Sequence, residues 1–226
     1  MIKFFNVYKA YTPKAQVLKD VNLHIRPGEF VSVVGQSGSG KTTLVKVMIG
    51  EEKINEGKIV LGGWDITDIG WREVPYLRRQ IGVIFQDFKL LPKKTLFENV
   101  AFALEVCGQP SKRIKDIIPR VMKIVGLEDK MHRYPHEVSG GEKQRAAIAR
   151  ALVHSPKVLL ADEPTGNLDA INAGEIIDLL LHINKFGTTV VLVSHNKEIV
   201  NRLNKRVITL EDGSIVGDRE KGRYML

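Results

Sequence analysis

Cysteine is nearly missing from this chain, since Cys107 is the one thiol among 226 residues. A single cysteine excludes an internal disulfide, which suits a reducing compartment. Long apolar runs are missing too, because none approaches the ~18 residues that a membrane-spanning helix needs. The first residues, from Met1 to Asn6, lack the pattern of a secretory signal peptide. From these absences we expect a cytoplasmic protein that does not itself cross a bilayer.

Internal repeats, low-complexity tracts and a flexible linker are also absent, which argues against two tandem domains. The 34 Lys and Arg residues exceed the 26 Asp and Glu residues, so the net charge is +8. Nucleic acid, anionic lipid and nucleotide phosphates would all suit this charge. It is spread along the chain, with some density between Lys112 and Arg133 and no long block. This spread favours a solvated basic surface, and we expect no nucleic-acid partner.

What is present begins with a glycine-rich motif from Gly35 to Thr42, whose letters GQSGSGKT fit GxxxxGK[ST]. An apolar run at 30–34 precedes it and another at 44–49 follows. Strand, glycine loop and helix in this order form a phosphate cradle, because backbone N–H groups turn inward at a helix N-terminus. Lys41 supplies charge for the β- and γ-phosphates, and the Thr42 hydroxyl is a ligand for Mg²⁺. The motif therefore predicts a nucleoside triphosphate site with these binding residues: Gly35, Gln36, Ser37, Gly38, Ser39, Gly40, Lys41, Thr42 and Thr43.

An apolar strand at 158–161 ends in two carboxylates, Asp162 and Glu163. One carboxylate can hold Mg²⁺ through water, and the next can polarise an attacking water. Two acids at a strand end are a weak signal alone, but a phosphate loop upstream strengthens it.

A helix start at Ser139-Gly140-Gly141-Glu142 has two interpretations. Ser and a Glu three residues on fit a capping box. The consecutive glycines instead suggest bare N–H groups that bind a second anion. A chain with two phosphate sites and one nucleotide satisfies both by dimerising head to tail.

The remaining pattern alternates strands and helices around a helical block, which predicts an α/β fold. We expect a parallel-sheet core, an N-terminal antiparallel β layer and an inserted helical subdomain. The expected strands are 2–8, 17–25, 30–34, 58–61, 157–161 and 188–193, with a hairpin near 211–213. The expected helices are 96–106, 111–125, 140–154, 170–184 and 196–203.

These motifs, together with Gln86, Gly166-Asn167-Leu168-Asp169 and His195, resemble the ATP-binding-cassette (ABC) ATPases in order and spacing. The resemblance covers essentially the whole chain. It implies a P-loop NTPase fold and one ABC ATP-binding domain over 1–226. Within it, 1–86 and 156–226 would form the RecA-like core with the β layer. The helical subdomain with the signature motif would span about 87–155.

The resemblance also implies roles for single residues. Tyr11 would stack on adenine, although it could be a surface aromatic. His195 would contact the γ-phosphate, although alone it would be a loop histidine. The implied catalytic residues are Glu163 as general base, Gln86 and His195; the implied magnesium ligands are Thr42, Gln86 and Asp162. The residues acting across a homodimer would be Ser139, Gly140, Gly141, Glu142 and Asp169. Val138, Glu142 and Asn196 depart from the family pattern, but none removes a catalytic group, so we expect an active ATPase using ATP/ADP and Mg²⁺.

Three segments, 72–88, 99–106 and 159–169, resemble the branch of this family that acts in bacterial cell division. That resemblance implies a separate integral membrane subunit resembling FtsX, and a peripheral position on the cytoplasmic face of the membrane at the division site. ATP-driven dimer closure would then control peptidoglycan hydrolysis. The partner would dock near 87–91, although Leu90 and Leu91 could equally be packed in the core.

Other functions stay open. The segment 159–169 is shared with lipoprotein-releasing and macrolide-export ATPases. A soluble ABC protein acting on ribosomes or nucleic acid would suit the charge, but those usually carry two cassettes or a long insertion. A non-enzymatic nucleotide-binding module is disfavoured because Glu163 and His195 are both present.

Overall fold

The computed structural model describes residues 1–13 and 15–222. Ten strands and seven α-helices are found there. The strands are β1 (Ile2–Thr12), β2 (Ala15–Ile25), β3 (Phe30–Val34), β4 (Glu56–Leu61), β5 (Trp64–Asp65), β6 (Ile81–Ile84), β7 (Val158–Asp162), β8 (Thr189–Val193), β9 (Arg206–Glu211) and β10 (Ser214–Arg219). The helices are α1 (Lys41–Met48), α2 (Val74–Arg78), α3 (Leu96–Val106), α4 (Ser111–Ile124), α5 (Gly140–Leu152), α6 (Ala170–Lys185) and α7 (Lys197–Leu203). No helix in the described part is long and apolar enough to cross a membrane.

The chain divides into two compact units. The first unit comprises residues 1–78 and the chain from 183 onward, and the second comprises 79–182. The predicted helical subdomain of about 87–155 falls inside the second unit, and its bounds stay a prediction.

An antiparallel sheet with the order β2-β1-β4-β5 forms one layer of the first unit. Its register pairs Ile2 with Ile25 and, on the other side, with Leu61. Along β2 every second residue from Val21 to Ile25 is buried, which is the alternation of a sheet with one solvated face. This is the N-terminal β layer that the sequence predicts.

A second set of strands in the first unit is built around β3. β3 runs parallel to β8 and β9, and all five of its residues are buried, as expected for a strand covered on both faces. β10 returns antiparallel along β9, so the expected hairpin near 211–213 is present. Because parallel strands end at the same edge, the residues after β3 and β8 emerge together. The phosphate loop and His195 therefore lie at one edge of the first unit.

The second unit contains the parallel pair β6 and β7, with Ile81 opposite Val158 and Ile84 opposite Ala161. Helix α4 buries Ile114, Ile118 and Met122, which lie four residues apart along one face. Ile124, the last residue of the helix, is exposed. The expected helices are all present, with ends within two residues of their predicted bounds. Strands β5 and β6 and the short helix α2 were not predicted.

Candidate nucleotide-binding site

The phosphate loop joins β3 to α1 through glycines that the backbone requires. Gly40 has a φ of 102°, and a Cβ there would lie 2.7 Å from the Val17 carbonyl oxygen. A larger residue would therefore be strained and would collide with β2. Helix α1 begins directly after Gly40 without a side-chain cap, so its first N–H groups face the loop. The loop has the backbone that an anion cradle needs.

The Lys41 side chain folds over this loop. Its Nζ donates to the carbonyl oxygens of Gly35 and Gln36, each at 2.8 Å, and the residue is 8% exposed. The ammonium is thus fixed beside the amides that would bind phosphate. Thr42 is exposed and Thr43 is buried.

Tyr11, at the end of β1, lies beside the same loop. Its hydroxyl is 3.4 Å from the Thr43 Oγ1, and the Lys9 ammonium lies 4.9 Å from the ring centroid. The ring is 48% exposed. The structure therefore places an accessible aromatic face next to α1, as stacking on a base requires.

His195 follows β8 and is exposed. The residue before it, Ser194, is buried, and its N–H donates to the Val33 carbonyl at 3.1 Å. The residue after it, Asn196, caps α7, because its Oδ1 accepts from the Ile199 N–H at 3.1 Å. Asn196 therefore fixes the start of the helix that directly follows His195.

In the second unit, β7 ends at Asp162, and both Asp162 and Glu163 are half-buried. Glu163 has a φ of 48°, a left-handed conformation that costs a non-glycine residue about 1–2 kcal/mol. The Gly166 N–H donates to the Glu163 carbonyl at 3.1 Å and closes the turn. Backbone strain of this kind clusters at functional sites.

Gln86, two residues past the end of β6, is held by Asn167. The Asn167 Nδ2 donates to the Gln86 carbonyl at 3.0 Å, and the Gln86 Nε2 lies 3.4 Å from the Asn167 Oδ1. A Cβ on Gly166 would be 2.8 Å from the Gln86 Nε2, so the glycine allows this approach. Within the motif 166–169, the residue pattern alone gives Asn167 no role of its own.

Ser139 caps α5 with the capping box that the sequence predicts. Its Oγ accepts from the Glu142 N–H at 3.3 Å, and the Glu142 Oε2 accepts from the Ser139 N–H at 2.9 Å. Glu142 also pairs with Lys130, and the Lys130 ammonium is the main cause that lowers the pKa of Glu142, followed by the Ser139 N–H. The glutamate is therefore tied to its own chain.

The consecutive glycines of this helix start have different surroundings. A Cβ on Gly141 would lie 2.1 Å from the Asn172 Oδ1, so Gly141 lets α5 and α6 approach closely. A Cβ on Gly140 would make only ordinary contact with the Leu168 side chain, at 3.4 Å. Close packing of the two helices therefore requires the glycine at 141 but not the one at 140. The anion-binding interpretation applies to both.

Asp169 caps α6. Its Oδ1 accepts from the N–H groups of Ile171 and Asn172 at 3.0 and 2.9 Å, and its Oδ2 accepts from the Asn172 Nδ2 at 2.6 Å. The Asn172 N–H is the largest cause that lowers the pKa of Asp169. Three donors therefore fix the position of this carboxylate.

The structure thus groups the predicted residues in two sets. The phosphate loop, Tyr11 and His195 belong to the first unit, whereas Gln86, Ser139, Asp162, Glu163 and Asp169 belong to the second. In the described part of the chain, no three His, Cys, Asp or Glu residues lie together as ligands for one metal ion. The predicted magnesium ligands are of another kind, hydroxyl, amide and carboxylate oxygens, which suit an ion that keeps several waters.

Comparison with known proteins decides the family. The ABC transporter family model matches residues 18–166, about two thirds of the chain. This chain belongs to the ABC transporter family. A dimeric ATP-binding cassette solved in a post-hydrolysis state with ADP and Pi is 34% identical, with a TM-score of 0.87 over 99% of this chain and 100% of that one. The α/β cassette fold is confirmed, and the chain is an ATPase that binds ATP and ADP.

Two curated relatives match over nearly the full length of both chains. The cell division ATP-binding protein FtsE of Bacillus subtilis is 51% identical, covering 99% of this chain and 98% of the relative. The protein of the same name from Escherichia coli K12 is 45% identical, covering 96% and 98%. The resemblance to the cell-division branch is therefore confirmed.

Proposed function

We propose that this ABC ATPase is the ATP-hydrolysing subunit of a membrane complex that acts in cell division. The observation that carries this proposal is the 45–51% identity to FtsE proteins along nearly the whole chain. The partner would be an integral membrane protein resembling FtsX, and the complex would sit at the cytoplasmic face of the division site. ATP-driven dimer closure would control peptidoglycan hydrolysis on the other side.

The first unit binds the nucleotide in this proposal. Tyr11 stacks on adenine, and the loop amides with Lys41 hold the phosphates. Thr42, Gln86 and Asp162 would hold Mg²⁺, which neutralises charge on the β- and γ-phosphates. His195 donates to the γ-phosphate as negative charge develops there.

Glu163 is the general base. Its half-buried, left-handed position at the end of β7 supports this role, since the strained turn fixes where the carboxylate starts. The carboxylate takes a proton from the attacking water as the γ-phosphoryl group is transferred. Gln86 orients that water and is itself held by Asn167.

Ser139, Gly140, Gly141 and Glu142 would face the nucleotide of a second copy, with Asp169 at the same dimer interface. The Glu142 carboxylate is paired with Lys130 and the Ser139 N–H, so its charge is compensated before it meets a phosphate. Loss of the γ-phosphate would let the two copies part.

The Glu163→Gln variant tests the base. It keeps the shape of the side chain and removes its basicity, so hydrolysis should fall by ~10²–10⁴-fold while ATP-bound dimers accumulate. Glu56→Gln, which neutralises an exposed carboxylate at the start of β4, is the matched control and should keep its turnover. Full turnover in Glu163→Gln would contradict this assignment.

The same variant, held in ATP and purified from native membranes, identifies the partner. A four-helix membrane protein with one large external loop, enriched at the septum, would support the cell-division proposal. An export permease would favour the alternative, which the shared segment 159–169 keeps open, and would leave the ATPase chemistry unchanged.

A further inference from the structure

The segment 86–91 has an unusual backbone at its centre. Phe88 and Lys89 have φ values of 58° and 50°, and neither is a glycine. Two consecutive residues in the left-handed region are strained, so surrounding contacts must hold them. The Lys89 N–H donates to the Asp87 carbonyl at 2.6 Å, which makes the turn tight but leaves the Phe88 and Lys89 carbonyls pointing elsewhere.

Arg150 of α5 binds both of those carbonyls. Its Nη2 donates to the Phe88 oxygen at 2.8 Å, and its Nη1 donates to the Lys89 oxygen. Arg150 is half-buried, and burial lowers the pKa of its guanidinium without removing the charge. A planar fork that donates to two neighbouring oxygens fixes their orientation as well as their position.

The far end of the same segment is fixed by Asn99 of α3, which is fully buried. The Asn99 Oδ1 accepts from the Leu91 N–H at 2.7 Å, and its Nδ2 donates to the Leu91 carbonyl at 3.1 Å. On the other side, Asn167 donates to the Gln86 carbonyl. The segment is therefore held at its start, middle and end, and Arg150 connects it to α5, the helix that Ser139 caps.

We propose that Arg150 is a positioning residue that makes the segment 86–91 and the helix α5 move as one piece. This rests on the proposed function, in which Gln86 and Ser139 act on ATP. Ser139 and Arg150 lie eleven residues apart, roughly 16 Å along a rigid helix. A displacement of the segment, for example by a docked partner, would reach the Ser139 end through the two Arg150 hydrogen bonds.

Hydrogen exchange on the isolated chain tests the contact. Arg150→Gln removes the charged fork, so amides at 86–91 should exchange about tenfold faster or more, while amides of β7 keep their rate. Arg150→Lys keeps the charge but cannot span both carbonyls, and it should be intermediate. Arg120→Gln removes a guanidinium from the exposed face of α4 and should leave the segment unchanged.

ATP hydrolysis by the same variants separates positioning from a local structural role. For Arg150→Gln we expect kcat to fall about tenfold, with the monomer's affinity for ATP within about twofold of the parent's, because the nucleotide loop belongs to the first unit. Arg150→Lys should recover part of kcat. Should Arg150→Gln prove unfolded by circular dichroism, Arg150→Lys alone decides by the same two readouts.

Two results would overturn the inference. Unchanged exchange at 86–91 would mean that Arg150 does not hold the segment. Faster exchange at 86–91 with an unchanged kcat would mean that Arg150 stabilises this segment only and does not affect catalysis. Neither readout needs a membrane partner, so failure to find an FtsX-like protein would leave this test intact.

Discussion

Left-handed backbone at single residues falls into two kinds in the described part of the chain. Asn6, Asp20, Ser155, Asn204 and Asp212 have short polar side chains, a kind that can hydrogen-bond locally and so tolerates positive φ. Phe88, Lys89 and Glu163 have longer side chains, and the left-handed conformation of each costs about 1–2 kcal/mol. All three belong to the second unit and lie within three residues of Gln86 or at the acidic strand end. Strain is therefore concentrated where the ATPase chemistry is proposed.

Tyr11 offers a prediction at the same scale. Tyr11→Ala should weaken ATP binding by roughly 1–3 kcal/mol, because the ring would lose its stacking on adenine. Tyr11→Phe keeps the ring and loses only the hydroxyl near Thr43, so its affinity should stay near that of the parent. Titration calorimetry on both variants measures the affinity for ATP. An unchanged affinity in Tyr11→Ala would mean that Tyr11 is an ordinary surface residue.

At the scale of elements, the second unit contains two helices that start alike. Thr95 caps α3 and Ser139 caps α5, each in a full capping box with the glutamate three residues on. The box at Thr95 accounts for helix structure alone. The box at Ser139 does the same, and we propose for Ser139 an additional role toward a second copy's nucleotide.

The two caps form a matched pair of variants. Thr95→Ala and Ser139→Ala should each lower the free energy of unfolding by about 1 kcal/mol, because each leaves one helix N–H without its acceptor. Only Ser139→Ala should also reduce ATP turnover, by about 10–10²-fold, since a donor to the transferred phosphate would be lost. Urea unfolding and an ATPase assay measure both. Equal losses of turnover would mean that Ser139 matters only through stability.

Elements with long local patterns were predictable from the sequence, and those defined by distant contacts were not. Helix α4 was found because its apolar residues recur at helical spacing over fourteen residues. Strand β6 was missed because it has four residues and contains Gly82, whose Cβ would lie 2.3 Å from the Ala151 carbonyl of α5. That glycine is required by packing that only the fold shows. Arg150 and Phe88 are 62 residues apart in the sequence, and no local motif predicts their hydrogen bond.

For the whole molecule, ligand binding and assembly should appear together in thermal stability. ATP at a hundred times its Kd should stabilise the Glu163→Gln chain by about 2.7 kcal/mol. For a chain of this size that is a rise in Tm of roughly 5–10 °C. EDTA should remove part of the rise, because Thr42, Gln86 and Asp162 are proposed to hold Mg²⁺ beside the phosphates. The Lys41→Ala variant should show little ATP-induced rise in Tm. Because Lys41 also bonds to its own loop, the comparison uses the difference in Tm with and without ATP rather than the Tm itself.

The dependence of that rise on protein concentration distinguishes assembly from simple binding. If ATP joins two copies, each tenfold increase in protein should add about 1–3 °C to the Tm of Glu163→Gln with ATP, because the folded dimer is favoured by mass action. Without ATP the Tm should not depend on concentration. Differential scanning calorimetry over a hundredfold range of protein measures this, with sedimentation velocity on the same samples. A concentration-independent rise, with monomers only in the sedimentation profile, would contradict the proposed head-to-tail dimer while leaving ATP binding in place.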